Sequence, residues 1–212
     1  MHYYLIHGID PTRKPFMENQ FATYGISAEE VTWMNYPNKH DYLPSNICIH
    51  PSLTKGQIAC TYKHYLALKD IVEKGLEIAV IMEDNIEFKG NVPSAINKYI
   101  NDLPLDWDIV WDSDFLGFKY DGLMTDKSVY RRDSSKGANF YVINKRSAKL
   151  LYDNFLPFNN CSDHHYNDLI KRHNLICYWA EPSNVHKIYR TSTWKDDEKP
   201  KKYLWLQNLS IS

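Results

Sequence analysis

Residues 77–88 read Glu-Ile-Ala-Val-Ile-Met-Glu-Asp-Asn-Ile-Glu-Phe, and this stretch decides the fold. An apolar run stops at two acids and an amide, after which apolar residues resume. The pattern predicts a buried parallel strand with oxygen ligands at its carboxyl end, where ligands bind in open α/β sheets. Such oxygens suit Mg²⁺ or Mn²⁺, which can hold a diphosphate. Taken alone, this strand is about equally consistent with a metal site and with a solvated acidic turn that binds no ligand.

Composition excludes several classes of protein. The chain has 212 residues, enough for one domain, and a net charge of −1, which argues against a nucleic-acid binder that works by bulk charge. Its apolar runs are too short for a transmembrane helix, and the N-terminus lacks the pattern of a signal peptide. The four cysteines lie far apart and form no C-x-x-C pair. We therefore expect reduced thiols, no zinc site and a cytoplasmic protein.

Strand and helix patterns alternate along the chain. Thr54 and Gln57 form a capping box that opens one helix, and Gly75 closes it. The alternation predicts an α/β fold with a mostly parallel central sheet and helices on both faces. We expect one domain over residues 1–190 and a tail, residues 191–212, that packs on the domain or leads to a further module. The expected strands are 2–6, 31–34, 78–82, 108–111, 139–143 and 175–179, and further helices begin near residues 12, 94, 145 and 162.

A second acidic cluster, Asp112-Ser113-Asp114, follows the expected strand at 108–111. Because strands of a parallel sheet share one carboxyl edge, we expect the two acidic clusters to converge on one crevice. The alternative for this second cluster is a helix cap or a turn. Dinucleotide and P-loop glycine motifs, the G-x-S-x-G elbow and H-E-x-x-H are absent from the sequence. An acid-held metal that carries a nucleotide diphosphate remains as the favoured hypothesis.

Several segments together resemble glycosyltransferase family 25, which includes lipopolysaccharide-type and collagen galactosyltransferases. The resemblance is carried, in order, by Tyr4–Asp10 with Arg13, Leu53–His64, Ala79–Asn85, Trp107–Val110 and Gly137–Asn144. It covers most of residues 1–190. The chain departs from the family pattern at Asn85, which replaces an aspartate, at Gln57, which replaces a glutamate, and at Lys63, which replaces a serine. These departures favour a divergent viral or bacterial member of the family. If the protein is viral, we expect it in the cytoplasm of the host.

The resemblance implies a GT-A-like single domain with a nucleotide-sugar-binding half, about residues 1–105, and an acceptor half, residues 106–190. It implies a metal-dependent hexosyltransferase that moves a hexose or deoxyhexose from a nucleotide-diphosphate sugar, a UDP-sugar by preference, to a glycan or glycoconjugate acceptor with inversion. The cofactor is Mn²⁺ or Mg²⁺, and neither nucleic acid nor a membrane span is expected. Two alternatives stay open, a non-catalytic nucleotide-sugar or glycan-binding module and a metal-dependent nucleotide-sugar hydrolase.

The site residues follow from the resemblance and from the chemistry of each side chain. The expected metal ligands are Asp84, Asn85 and His186, the last because GT-A enzymes often supply a late histidine. A base must take the acceptor proton, and Asp163 is the first choice for it, with Asp114 and then Asp112 as the next candidates. A helix-start charge is the alternative for Asp163, and a surface or capping residue for His186. The expected donor contacts are Ile6, His7, Gly8, Arg13, Lys63 and Glu83, and for Glu83 two roles stay open, a metal ligand or a contact to the donor ribose.

Overall fold

A computed structural model describes residues 1–8, 10–50, 52–114 and 127–188. The predicted tail, residues 191–212, lies outside these described residues. Within them, the strands are β1 (His2–Ile6), β2 (Val31–Met34), β3 (Ile78–Glu83), β4 (Ile86–Phe88), β5 (Ile109–Trp111), β6 (Val129–Arg132), β7 (Phe140–Asn144), β8 (Cys177–Ala180) and β9 (Val185–Lys187). The α-helices are α1 (Arg13–Thr23), α2 (Lys55–Lys74), α3 (Val92–Asp102), α4 (Lys145–Asn154) and α5 (Ser162–His173), and residues Ala28–Glu30 form a 3-10 turn.

Seven of the described strands form one sheet in the order β2-β1-β3-β7-β5-β8-β6, and β4 pairs with β9 in a second, two-stranded sheet. In the large sheet, β2, β1, β3, β5 and β8 run one way, whereas β7 and β6 run against their neighbours. The predicted α/β class with a mostly parallel sheet is confirmed. The strands that precede the two acidic clusters, β3 and β5, are separated in the sheet by β7.

Two hydrophobic cores cover the two faces of this sheet. Ile81 of β3 packs in the core that α2, α4 and α5 contribute to, whereas Met82 packs in the core that α1 and α3 contribute to. Helices therefore lie on both faces, as predicted. Side chains alternate along a strand, so Glu83 continues towards the α2 face and Asp84 towards the α1 face. This alternation separates the two acids at the end of β3.

The ends of the helices follow local capping rules. Thr54 accepts a hydrogen bond from the Gln57 backbone, Gln57 returns one to Thr54, and Gly75 ends α2 with a left-handed φ of 64°, so the predicted capping box and glycine stop are confirmed. For α5 the residue type of Ser162 predicts an N-cap, and this prediction is wrong: the extended residue before the helix is Cys161, and Ser162 is already helical. No helix in the described part of the chain has the length and apolar character needed to cross a membrane.

His165 of α5 gives a testable pH dependence of stability. Its Nε2 donates to the carbonyl of Phe155 at 2.9 Å, and burial lowers the pKa of the ring. Because the unfolded chain takes up the proton first, we expect stability to fall as pH drops below about 6.5, by up to about 1.4 kcal/mol per pH unit. His165→Gln keeps an N–H donor but does not titrate. Urea unfolding should therefore show a flatter pH profile for this variant, and identical profiles would contradict the assignment.

Candidate functional site

One pocket lies at the carboxyl ends of β1 and β3, beside the first half of α2 and the start of α1. Eight residues predicted to bind donor or metal line it: Ile6, His7, Gly8, Arg13, Lys63, Glu83, Asp84 and Asn85. The other described residues that line the pocket are Asn38, Lys39, Gly56, Ala59 and Cys60. The structure thus brings together the ends of two parallel strands and one helix, as the sequence led us to expect.

Asp84 is buried, and its carboxylate faces three donors. Oδ2 accepts from His7 Nδ1 at 2.9 Å and from the Gly8 backbone N–H at 2.7 Å, while Oδ1 accepts from the Arg13 guanidinium at 2.6 Å. The Asp84 N–H also donates to the carbonyl of Ile6 at 3.1 Å. This side chain therefore fixes the connection between β1 and α1, and it holds the cation of Arg13 at the pocket.

Glu83 points to the opposite side of β3, towards α2 and β7. Its Oε2 accepts from Asn139 Nδ2 at 2.7 Å, and its Oε1 lies 3.7 Å from both Cys60 Sγ and His64 Nε2. Burial alone would raise the pKa of Glu83, but the His64 ring, the charge of Lys187 and the Asn139 amide outweigh it and hold the pKa at about 2. Glu83 is therefore a fixed carboxylate at neutral pH.

Lys63 supplies a buried cation to the same pocket. It lies one helical turn after Cys60 on α2, and its Nζ donates to the carbonyl of His7 and to Asn38 Oδ1 at 3.0 Å. Burial lowers the pKa of Lys63, although the negative charges of Asp84 and Asp41 act in the other direction. The pocket thus combines two anchored cations, Arg13 and Lys63, with the carboxylates at the end of β3.

His186 and Asp114, predicted as a metal ligand and a second-choice base, contact each other rather than the pocket. His186 Nδ1 is hydrogen-bonded to Asp114 Oδ2, and Asp114 Oδ1 accepts from the Lys187 N–H at 2.9 Å. Neither residue is among the described residues that line the pocket. The link to the pocket is indirect: β9 pairs with β4, and the Ile188 N–H donates to the Asn85 carbonyl at 2.8 Å.

Asp112, the other acid of the second cluster, is structural. Its carboxylate accepts from the Tyr99 hydroxyl at 2.6 Å, the Ser183 hydroxyl at 2.7 Å and the Asn184 N–H at 2.9 Å. Burial raises the pKa of Asp112 to about 6, although these hydrogen bonds work against the shift. The side chain therefore fixes the connection between β8 and β9, which is the turn interpretation of this cluster.

Asp163 lies in the first turn of α5, outside the described lining of the pocket. Its Oδ1 accepts from the His164 N–H and from the Cys161 thiol, both at 3.0 Å. Its backbone carbonyl accepts from the Ser135 hydroxyl at 3.4 Å, in the segment that leads to Asn139. Ser135 lies four residues before Asn139, the residue that donates to Glu83.

The predicted metal set of Asp84, Asn85 and His186 does not fit as a unit. Both oxygens of Asp84 are taken by its three donors, and His186 uses one ring nitrogen on Asp114. The carboxylate of Glu83 and the amide oxygen of Asn85 do have suitable donor chemistry, because both line the pocket and both face the Asn139 amide, at 2.7 and 3.4 Å.

Sequence reasoning missed several residues that complete the site. Cys60 was detectable, because it precedes Lys63 by one helical turn and so shares its face. Asn139 and Lys187 were not, because each reaches Glu83 only through the order of strands in the sheet. Asn38 and Lys39 lie in a long connection without a regular pattern.

Comparison with known proteins gives one family. The family described as Glycosyltransferase family 25 (LPS biosynthesis protein) matches residues 8–169. Procollagen galactosyltransferase 1 of Danio rerio is 26% identical over 162 residues, which cover 66% of this chain and 26% of that protein. Probable inactive glycosyltransferase 25 family member 3 of Rattus norvegicus is 34% identical over 68 residues, which cover 32% of this chain and 12% of that protein. The chain thus spans about a quarter or less of these curated relatives.

Among solved structures, a Drosophila β1,4-galactosyltransferase 7 variant in complex with manganese, UDP-Gal and xylobiose is similar to this chain with a TM-score of 0.48 and 8% identity. The match covers 97% of this chain and 79% of that chain.

Proposed function

The chain belongs to glycosyltransferase family 25, and from this premise we propose that it transfers a hexose or deoxyhexose from a UDP-sugar to a glycan or glycoconjugate acceptor, with inversion. The observation that carries the proposal is the pocket itself, because eight residues assigned to donor and metal line one cavity at the strand ends.

All four cysteines are free thiols, which agrees with the proposed cytoplasmic location.

The donor diphosphate is proposed to bind at the cationic side of the pocket. Arg13 and Lys63 bring two positive charges there, and an arginine can pair with phosphate oxygens through two N–H groups. Gly8 has no side chain, so a ligand can approach the backbone at the end of β1. Asp84 does not bind the donor in this scheme; it positions His7, Gly8 and Arg13.

Metal dependence, with Mn²⁺ or Mg²⁺, is part of the proposal, and we assign the ion to the oxygens of Glu83 and Asn85. His186, the third predicted ligand, is not part of this assignment, because it pairs with Asp114 and lies outside the described lining of the pocket. When bound, such an ion neutralises the negative charge that develops on the leaving diphosphate. The fixed charge of Glu83 suits this assignment, because the carboxylate is already ionised.

Transfer to an acceptor requires a base that removes the proton of the attacking hydroxyl. Asp163 is the proposed base, and Asp114 is the second choice because its carboxylate already accepts from His186 and Lys187. The carboxylate of Asp163 is half-buried in the first turn of α5.

A non-catalytic binding module is a second candidate, because one relative is named as probable inactive and because Asn85 replaces an acid. Nucleotide release from UDP-sugars, measured with and without glycan acceptors, separates these functions. We expect release that rises with acceptor concentration and saturates. Acceptor-independent release would indicate the hydrolase, and binding without release would indicate the binding module; either result overturns the transferase proposal.

A further inference from the structure

Three metal-binding side chains meet behind the carboxyl end of β3. Cys60 and His64 lie one turn apart on the same face of α2, and that face packs over Glu83. Cys60 Sγ and His64 Nε2 each lie 3.7 Å from Glu83 Oε1, and all three ligand atoms lie within 4.8 Å of one another. The helix and the strand thus preform a cluster of one sulfur, one nitrogen and one oxygen.

The spacing of these atoms is close to that of a tetrahedral metal site. With bond lengths of about 2.3 Å to sulfur and about 2.0 Å to nitrogen and oxygen, neighbouring ligand atoms around Zn²⁺ lie roughly 3.3–3.6 Å apart. Both observed separations from Glu83 Oε1 are 3.7 Å. The third separation, between Cys60 Sγ and His64 Nε2, lies within 4.8 Å, so a closure of at most about 1 Å between these two atoms would complete the coordination.

The orientation of His64 gives independent support. The ring is fully buried, and its Nδ1 lies 3.0 Å from the Tyr141 hydroxyl, which in turn contacts the Tyr166 hydroxyl. Its Nε2 has no hydrogen-bond partner among the described residues, although it is buried. A histidine that donates from Nδ1 presents the lone pair of Nε2, which is the arrangement that orients metal-bound histidines.

We propose that Cys60, His64 and Glu83 form a binding site for a borderline transition-metal ion, with Zn²⁺ as the best fit. Thiolate and imidazole select Zn²⁺, whereas Mg²⁺ and Mn²⁺ prefer oxygen ligands. The two proposed sites share the Glu83 carboxylate, but this one differs in its ion and in its other two ligands, Cys60 and His64. The inference does not depend on sugar transfer. It departs from our expectation of no zinc site, because the cluster is assembled by α2 and β3 rather than by paired cysteines.

A metal ion can reach this site from the pocket, and the proton of the Cys60 thiol leaves to solvent when the ion binds. Cys60 and Glu83 line the pocket, so an ion reaches them from solvent, and the fourth coordination position is left for water. Burial raises the pKa of the Cys60 thiol, and the carboxylate of Glu83 adds to that shift. The thiol proton is therefore released to solvent when the sulfur–metal bond forms, because a coordinating thiol is deprotonated outright.

Cobalt titration of the metal-stripped chain tests this site. We expect the parent to show a sulfur-to-cobalt charge-transfer band, with Zn²⁺ displacing Co²⁺. Cys60→Ser should remove the band and weaken Zn²⁺ binding by more than about 100-fold, since even indirect ligand partners contribute about 10–100-fold. His64→Gln should weaken binding similarly. Cys48→Ser is the matched control. Cys161→Ser tests the other described cluster, formed by Cys161, Asp163 and His164, and should also leave the band intact.

Absence of the band in the parent, its survival in Cys60→Ser, or its loss in Cys161→Ser would overturn the proposal. Circular dichroism reports whether each variant is folded. If Cys60→Ser does not fold, alkylation of the parent decides: Zn²⁺ should protect Cys60 from alkylation, and unchanged modification would overturn the site.

Discussion

Asp84→Ala is expected to lower the free energy of unfolding by about 3–5 kcal/mol, the usual effect of removing one partner of a buried ion pair. The substitution leaves the Arg13 guanidinium without its closest carboxylate and the Gly8 N–H without an acceptor. An unsatisfied buried donor adds to the loss. Urea denaturation of parent and variant measures the effect, which is large against the total stability of a typical domain.

Asp153→Ala is the matched control for Asp84→Ala. Asp153 pairs with Lys149 on the exposed surface of α4, where removal of an ion pair should change stability by at most about 1 kcal/mol. Equal effects of the two substitutions would show that Asp84 does not hold the β1–α1 connection. If Asp84→Ala instead abolished metal binding and left stability unchanged, Asp84 would be a metal ligand, as the sequence predicted.

Asp163→Asn is expected to reduce kcat for sugar transfer by about 10²–10⁴-fold, the usual contribution of a general base. Donor affinity should stay unchanged, because Asp163 lies outside the described lining of the donor pocket. Asparagine keeps the size of the side chain and an oxygen that can accept from the His164 N–H. Steady-state kinetics with saturating donor, together with donor binding by calorimetry, separates the two parameters.

Asp114→Asn provides the comparison for Asp163→Asn, because it makes the same chemical change in the second-choice base. We expect a smaller loss of kcat from Asp114→Asn. A larger loss from Asp114→Asn than from Asp163→Asn would transfer the role of base to Asp114. If kcat of each variant equals that of the parent, neither aspartate removes the acceptor proton.

Local signals explain which parts of the fold were predictable from sequence. Thr54 and Gly75 bound α2 correctly because capping depends on neighbours along the chain. The apolar run before Glu83 identified β3, because a buried strand is also marked by residues that are adjacent in sequence. Strands β4, β6 and β9 were missed because each is short and also contains charged or polar side chains, so no apolar run marks it. The position of β7 between β3 and β5 depends on long-range pairing, which no local pattern encodes.

The site was predictable to the level of the strand end but not to the level of each side chain. Strand periodicity places Glu83 and Asp84 on opposite sides, yet only the packing of α2 and α1 determines which side meets which partner. Asp84 therefore proved to be bound to Arg13, and Glu83 to Asn139. His186 follows the last main strand as expected, but its pairing with Asp114 requires the β4–β9 sheet, which the sequence did not reveal.

Calorimetric titration of the chain with UDP and UDP-sugars, in the presence of Mn²⁺, tests the donor pocket most directly. Parent protein, Glu83→Gln and Glu87→Gln should be compared, because Glu87 lies on β4 close to Glu83 in sequence and pairs only with exposed Lys89 among the described ion pairs. We predict saturable binding by parent and by Glu87→Gln, and binding weaker by at least about tenfold in Glu83→Gln. Equal affinities in all three proteins, or no binding of any nucleotide by the parent, would contradict the assignment of this pocket to a nucleotide-sugar donor.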